Sequence, residues 1–153
     1  MPSRARLLAA AGPAAAALIG GLSTDPRSRW FRTLDKPSWY PPPQTFGIVW
    51  TALYAGTAWA AGEVLDRADP QLRRSFARAY TANLVLNTAW SPLFFRAHRP
   101  WPAAAECAVL AVSTGDLVRR AAAVSSPAAA VLAPYAAWTA FATALSGAIA
   151  RRN

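Results

Sequence analysis

Apolar residues along this chain gather in five long stretches, Leu7–Ser23, Phe46–Leu65, Phe76–Phe95, Ala103–Val118 and Ala128–Ala150, each with little charge along it. Polar connections separate them at Thr24–Thr45, Asp66–Ser75, Arg96–Pro102 and Arg119–Pro127. Alanine and leucine dominate the stretches and no period-two alternation is visible, so the pattern predicts helices rather than strands. A bilayer core about 30 Å thick is crossed by roughly 20 helical residues. Four stretches reach that scale and the fourth in order falls just short. Because they are apolar around most of their circumference rather than along one stripe, the expected fold is all-α: a membrane-embedded bundle of five transmembrane helices forming a single domain over residues 1–153. Short connections make successive helices antiparallel neighbours; only the first connection is long.

Composition agrees with this picture. Charged residues make up 15% of the 153 and apolar types 54%, an imbalance that favours lipid over water as the solvent. The net charge of +9 in a soluble protein suggests nucleic acid, yet no basic stripe lies on an amphipathic element and no nucleic-acid motif is present, so anionic lipid headgroups are the expected partner. Lys and Arg divide evenly between the two sides of the expected topology, which leaves its orientation open. Arg4 and Arg6 before an alanine-rich stretch also resemble the start of a signal peptide, although that stretch runs to Ser23 through Gly12 and Pro13. Small residues recur at four-residue spacing in Ala52, Gly56 and Ala60 and in Ala140, Ala144 and Ala148, faces suited to helix packing within the chain or in a homodimer.

The candidate chemistry is aromatic. The segment KPSWYPPPQTFGIVW, Lys36 to Trp50, holds four prolines beside Trp39, Tyr40 and Trp50 at the mouth of the second stretch. Prolines stiffen it, and the helix is expected to begin after the Pro41–Pro42–Pro43 run. Tryptophan and tyrosine at a membrane surface form an interfacial belt, the reading for Trp59 and Trp101, but a belt does not need locking by prolines. A preformed aromatic wall suits a flat, rigid, apolar ligand. In the third stretch Asn83 and Asn87 share a helix face that Trp90 extends, and they serve either a ligand or interhelical hydrogen bonds; Pro92 is expected to kink or end that helix. Tyr135 and Trp138 share a face of the fifth stretch. Glu106 is expected to sit near enough to the interface to stay hydrated, His98 reads as a solvated connection residue rather than a haem ligand, and Cys107 as a small apolar helix residue. No cluster of metal-ligating residues and no Ser–His–Asp set is recognisable.

The ordered motifs RWF at Arg29–Phe31, KPSWYPP at Lys36–Pro42, FGIVWTALY at Phe46–Tyr54, LNTAWSPLFF at Leu86–Phe95 and PYAAWTAFATAL at Pro134–Leu145 resemble the tryptophan-rich sensory protein/translocator protein family (TspO/MBR, which includes the peripheral benzodiazepine receptor) across Trp30 to Ala150. The resemblance implies a multi-pass protein of a bacterial cell membrane, usually dimeric, that binds protoporphyrin IX or a related tetrapyrrole under the first loop and requires no cofactor. It places the ligand site on Trp30, Trp39, Trp50, Tyr54, Asn87, Trp90, Tyr135 and Trp138, with no metal. The implied role is sensory or regulatory. Two alternatives stand beside it: light-dependent porphyrin breakdown, in which Trp50 and Trp138 are the catalytic pair, and transport of porphyrins or other small lipophiles. Arg29, Arg32 and Lys36 are placed to pair with porphyrin propionates. Departures from the family pattern fall at Gln44, Ser146 and Ala150.

Overall fold

The computed structural model describes residues 3–153. Among them the chain is all-α, with six α-helices and one π-helical turn: α1 Arg4–Ser23, α2 Arg29–Thr33, α3 Pro43–Arg67, α4 Pro70–Ser91, the π-helical turn Pro92–Arg96, α5 Pro100–Ala122 and α6 Ser126–Ala150. Five of these helices are long, 20 to 25 residues each. Among the described residues, α1 and α6 are long and apolar enough to cross a membrane by length and composition. The most extensive packing joins α5 to α6 and α1 to α3, with α4 against α5 and α3 against α6 closing the bundle.

The helices begin earlier than hydropathy alone indicates. α4 and α5 open on Pro70 and Pro100 rather than at Phe76 and Ala103: in α4 an arginine-bearing first turn continues the helix without adding apolar signal, and in α5 the added residues are Pro100, Trp101 and Pro102, with prolines tolerated in a first turn. Asp69 caps α4, its carboxylate accepting from the Gln71 and Leu72 amides at 2.8 and 2.9 Å. α3 likewise starts at Pro43, inside the proline run rather than after it, since a first-turn proline gives up only an N–H that has no helical partner. At Pro92 the α-helix does end, and the next five residues wind as a π-turn. The first connection contains a short helix that hydropathy missed: the Ser28 hydroxyl caps α2 by accepting from the Phe31 amide at 3.2 Å.

Close helix approach is bought with small residues. A Cβ on Gly56 would lie 3.1 Å from Val131 Cγ1, and one on Gly62 would lie 2.9 Å from Arg6 Cγ, so α3 rests directly on α6 and α1. Gly56 and fully buried Ala60 therefore serve packing within the chain. The α1–α3 contact is fastened at the end where the N-terminus lies. Ser3 Oγ donates to Asp66 Oδ1 and Arg6 Nε to Asp66 Oδ2, both at 2.6 Å, while Arg6 Nη2 reaches Glu63 Oε2 at 3.0 Å. The Ser3 hydroxyl and then the Arg6 guanidinium hold the Asp66 carboxyl below its ordinary value of 3.8. A depressed folded-state value means that Asp66 supports the folded state fully above the unfolded value and ceases to do so as pH falls through the folded one. Acidification below about 3.8 is therefore expected to speed amide hydrogen exchange in the first turn of α1. In Asp66→Asn that turn should already exchange faster at neutral pH and show a smaller acid step; an acid step of unchanged size in the variant would contradict the assignment.

Candidate functional site

The connection between α1 and α3 is held down near its middle, at Asp35 and Lys36. Lys36 Nζ donates to the Phe31 and Leu34 carbonyls at 2.6 and 3.2 Å and lies 4.4 Å from the Phe31 ring centre. At the C-terminal side, Asn153 takes the Asp35 amide at 2.9 Å and donates to the Asp35 and Ile149 carbonyls at 3.0 and 2.9 Å. Tyr40 closes a turn onto the Pro37 carbonyl at 2.9 Å, and burial raises its phenol above its ordinary value, so it stays neutral. Lys36 is thereby committed to the loop itself and is not the free propionate partner that the sequence suggested. Arg29 and Arg32 remain exposed on α2.

Under this loop rings from α2, α3, α4, the π-turn and α6 meet. Trp39, 48% exposed at the loop tip, makes an edge contact with Phe141 of α6 at 5.8 Å between centroids. Phe141 packs on Trp138 at 5.2 Å, Trp138 on Phe46 of α3 at 5.8 Å, and Phe46 on Tyr40 at 5.5 Å. Tyr40 continues through Phe31 to Phe94 and Phe95 in the π-turn. Trp90 stacks on Phe94 at 5.1 Å with only 9° between the planes. Trp30 meets the same Phe94 edge-on at 5.3 Å and stacks its other side on His98 at 4.4 Å. His98 is exposed, as expected, and takes a positive φ of 54°.

A second group lies deeper in the helices. Trp50 stacks on Tyr54 at 5.3 Å and meets Tyr135 edge-on at 6.1 Å. From there a chain of hydrogen bonds crosses the bundle. Tyr54 Oη donates to Asn87 Oδ1 (2.7 Å), Asn87 Nδ2 to Tyr135 Oη (3.1 Å), and Tyr135 Oη to Asn83 Oδ1 (3.0 Å). Asn83 Nδ2 then donates to Thr114 Oγ1 (3.0 Å) and Ser113 Oγ (3.2 Å), and Thr114 donates to the Leu110 carbonyl (2.8 Å). Each hydroxyl proton is used once, so the donors run in one direction from α3 through α4 and α6 to α5. Both asparagines thus make interhelical bonds, one of the two roles open to them in the sequence. Trp138 joins the two groups: it packs against the core around Tyr135 while its ring touches Phe46 and Phe141.

Of the eight residues singled out beforehand, Trp50, Tyr54, Asn87 and Tyr135 form one contact set. Trp39 and Trp138 share Phe141, while Trp30 and Trp90 share Phe94. Phe46, Phe141 and Phe94, which tie these sets together, were not picked out, because a phenylalanine in an apolar helix carries no signal beyond burial. Among the described residues, the indole nitrogens of Trp90 and Trp138 are shielded from solvent without a hydrogen-bond partner. So are both carboxylate oxygens of Glu106, which corrects the expectation of a hydrated side chain at that position. Trp59 and Trp101 stay exposed, and no group of three His, Cys, Asp or Glu among the described residues could hold a metal ion.

A sequence model described as the TspO/MBR family matches residues 9–152, including most of α1. The chain is 33% identical to the human translocator protein over 127 residues, 82% of this chain and 75% of that protein. Against the tryptophan-rich protein TspO of Bacillus cereus it is 31% identical over 117 residues, 76% of each. Similarity extends to an uncharacterised membrane protein, YtaB, of Bacillus subtilis, 33% identical over 124 residues, which is 81% of this chain and 80% of that one.

Proposed function

The chain belongs to the TspO/MBR family of membrane proteins, and from that footing we propose that it is a multi-pass protein of a bacterial cell membrane that binds a planar tetrapyrrole, protoporphyrin IX or a close relative, in a sensory or regulatory role. The observation that carries this reading is the setting of Trp138. Its ring contacts side chains from α3 and α6 beneath a loop tryptophan, and its buried N–H has no acceptor among the described residues. A buried donor left without a partner in a protein is uncommon, and an acceptor on a guest satisfies it.

The rings already touch one another, so a macrocycle enters by displacing some of these contacts. Trp39 is the natural one to move: it is half exposed, and it lies beyond Asp35 and Lys36, the residues at which the loop is tied to Asn153 and to its own carbonyls. Indole faces released in this way stack on the macrocycle in exchange for the ring contacts they give up. The exposed Arg29 and Arg32 lie on the same loop, where they pair with propionates at headgroup level. Exposed Ala140 and Ala144 on α6 offer a small-residue face to a second copy.

Protoporphyrin IX titrated in the dark into the detergent-solubilised full chain is expected to quench tryptophan fluorescence to a saturating plateau at one porphyrin per chain. Unsaturable partitioning, equal to that of empty micelles, would overturn the binding reading. The contact of Trp50 with Tyr54 and Tyr135 favours a second reading, light-dependent porphyrin breakdown with Trp50 and Trp138 as oxidisable participants. Illuminated loss of porphyrin that continues unchanged in Trp50→Phe and Trp138→Phe removes that role and leaves binding standing.

A further inference from the structure

A groove of about 990 Å³ lies at the opposite end of the bundle from the aromatic site, between the first half of α4 and the last half of α5. Its charges are unequal. Asp116 is neutralised twice within α5, by Arg119 Nη2 at 2.6 Å and by Arg120 Nε at 2.5 Å, and Arg120 also reaches across to the Ser75 hydroxyl of α4. Arg74 and Arg78 line the same groove and make no ion pair or side-chain hydrogen bond among the described residues. They are four residues apart, so two uncompensated guanidinium groups stand one helical turn from each other on one face. One turn further into the bundle the α4 wall becomes Ala79 and Ala82, with Ser113 opposite on α5.

From this gradient we infer that the groove seats an anionic phospholipid, with its phosphate between Arg74 and Arg78 and the start of an acyl chain along Ala79 and Ala82. Arginine forks match phosphate oxygens in pairs, and a basic recess between membrane helices near one surface is suited to a lipid headgroup. The alanine wall selects a lipid over a free anion, because a soluble phosphate gains nothing from an apolar surface about 6 Å deeper along the helix. The inference is independent of what the aromatic site binds, since none of the aromatic residues of that site lines the groove and only Ser113, at the far end of the hydrogen-bond chain, belongs to both.

The test uses the full chain in neutral detergent with increasing phosphatidylglycerol or phosphatidylcholine, and native mass spectrometry to count retained lipid. Wild type is expected to retain phosphatidylglycerol preferentially. Its affinity should fall roughly fivefold for each arginine removed and about thirtyfold in the Arg74→Gln, Arg78→Gln double variant. Ala82→Phe fills the wall without changing charge, and should also reduce retention. The exposed pair Arg151→Gln, Arg152→Gln at the other end serves as the control for general electrostatics and should leave retention unchanged. Circular dichroism checks that each variant is folded. Retention unchanged in the Arg74, Arg78 variant overturns the proposal. So do full displacement by soluble glycerol 3-phosphate, which marks a simple anion site, and a dimer in which a second copy covers the groove.

Discussion

Asn83→Leu is expected to lower the unfolding free energy in mixed micelles by about 2 kcal/mol, with three interhelical bonds lost at roughly 0.6 kcal/mol each. Asn83 is fully buried and central to the chain of donors: its carbonyl takes the Tyr135 hydroxyl proton and its amide feeds Thr114 and Ser113. Leucine leaves the buried Tyr135 hydroxyl pointing at an apolar group in place of its acceptor. Tyr54→Phe makes the useful comparison, because Tyr54 begins the chain and donates a single bond, to Asn87. Its expected cost is about 0.6 kcal/mol. Equal losses in the two variants would mean that the network is not what holds α4 against α5 and α6. A loss in Asn83→Leu well beyond the sum of its bonds would instead show cooperativity along the chain.

The largest expected effect is on ligand affinity. Trp39→Ala combined with Trp138→Ala should weaken protoporphyrin binding about a hundredfold, on the basis that each large side chain buried against the guest contributes roughly 1.5 kcal/mol at the low end of the usual range. The two rings lie on separate elements, the loop and α6, and both touch Phe141, so together they form one wall. Truncating them removes the wall while leaving every residue of the hydrogen-bond chain beneath it in place. Trp59→Ala and Trp101→Ala are the comparison, since both rings are exposed and neither makes a ring contact with the aromatic site among the described residues. Their binding should match wild type. Affinity unchanged in the Trp39, Trp138 variant as in the comparison variants would point to general lipophilic partitioning.

The sequence was most readable where chemistry is repetitive. Five apolar stretches became the five long helices, because a segment that is apolar on most of its circumference has few other ways to satisfy its backbone in lipid. Helix starts were less readable. Pro43, Pro70 and Pro100 each open a helix, and polar first turns such as Gln71–Arg74 add nothing to an apolar count. The short helix Arg29–Thr33 rests on one serine cap, a local signal that the aromatic density around it obscured. At the site, tryptophan, tyrosine and asparagine stood out because they are rare and costly inside a membrane helix, whereas Phe46, Phe94 and Phe141 blended into the apolar background. The engagement of Lys36 with carbonyls of its own loop depends on how the chain folds back, which spacing along the sequence does not reveal.

Residue-resolved oxidative footprinting of the full chain in the dark, with and without protoporphyrin IX, tests most directly whether the tryptophans converge on one planar guest. Trp39 and Trp101 make a matched pair for this, 48% and 59% exposed in the free protein but on different surfaces. Protection of Trp39 that saturates with porphyrin, while Trp101 and Trp59 oxidise at their original rates, is the predicted result. Undiminished oxidation of Trp39 at saturating porphyrin, or equal protection of all three, would contradict a site beneath the loop.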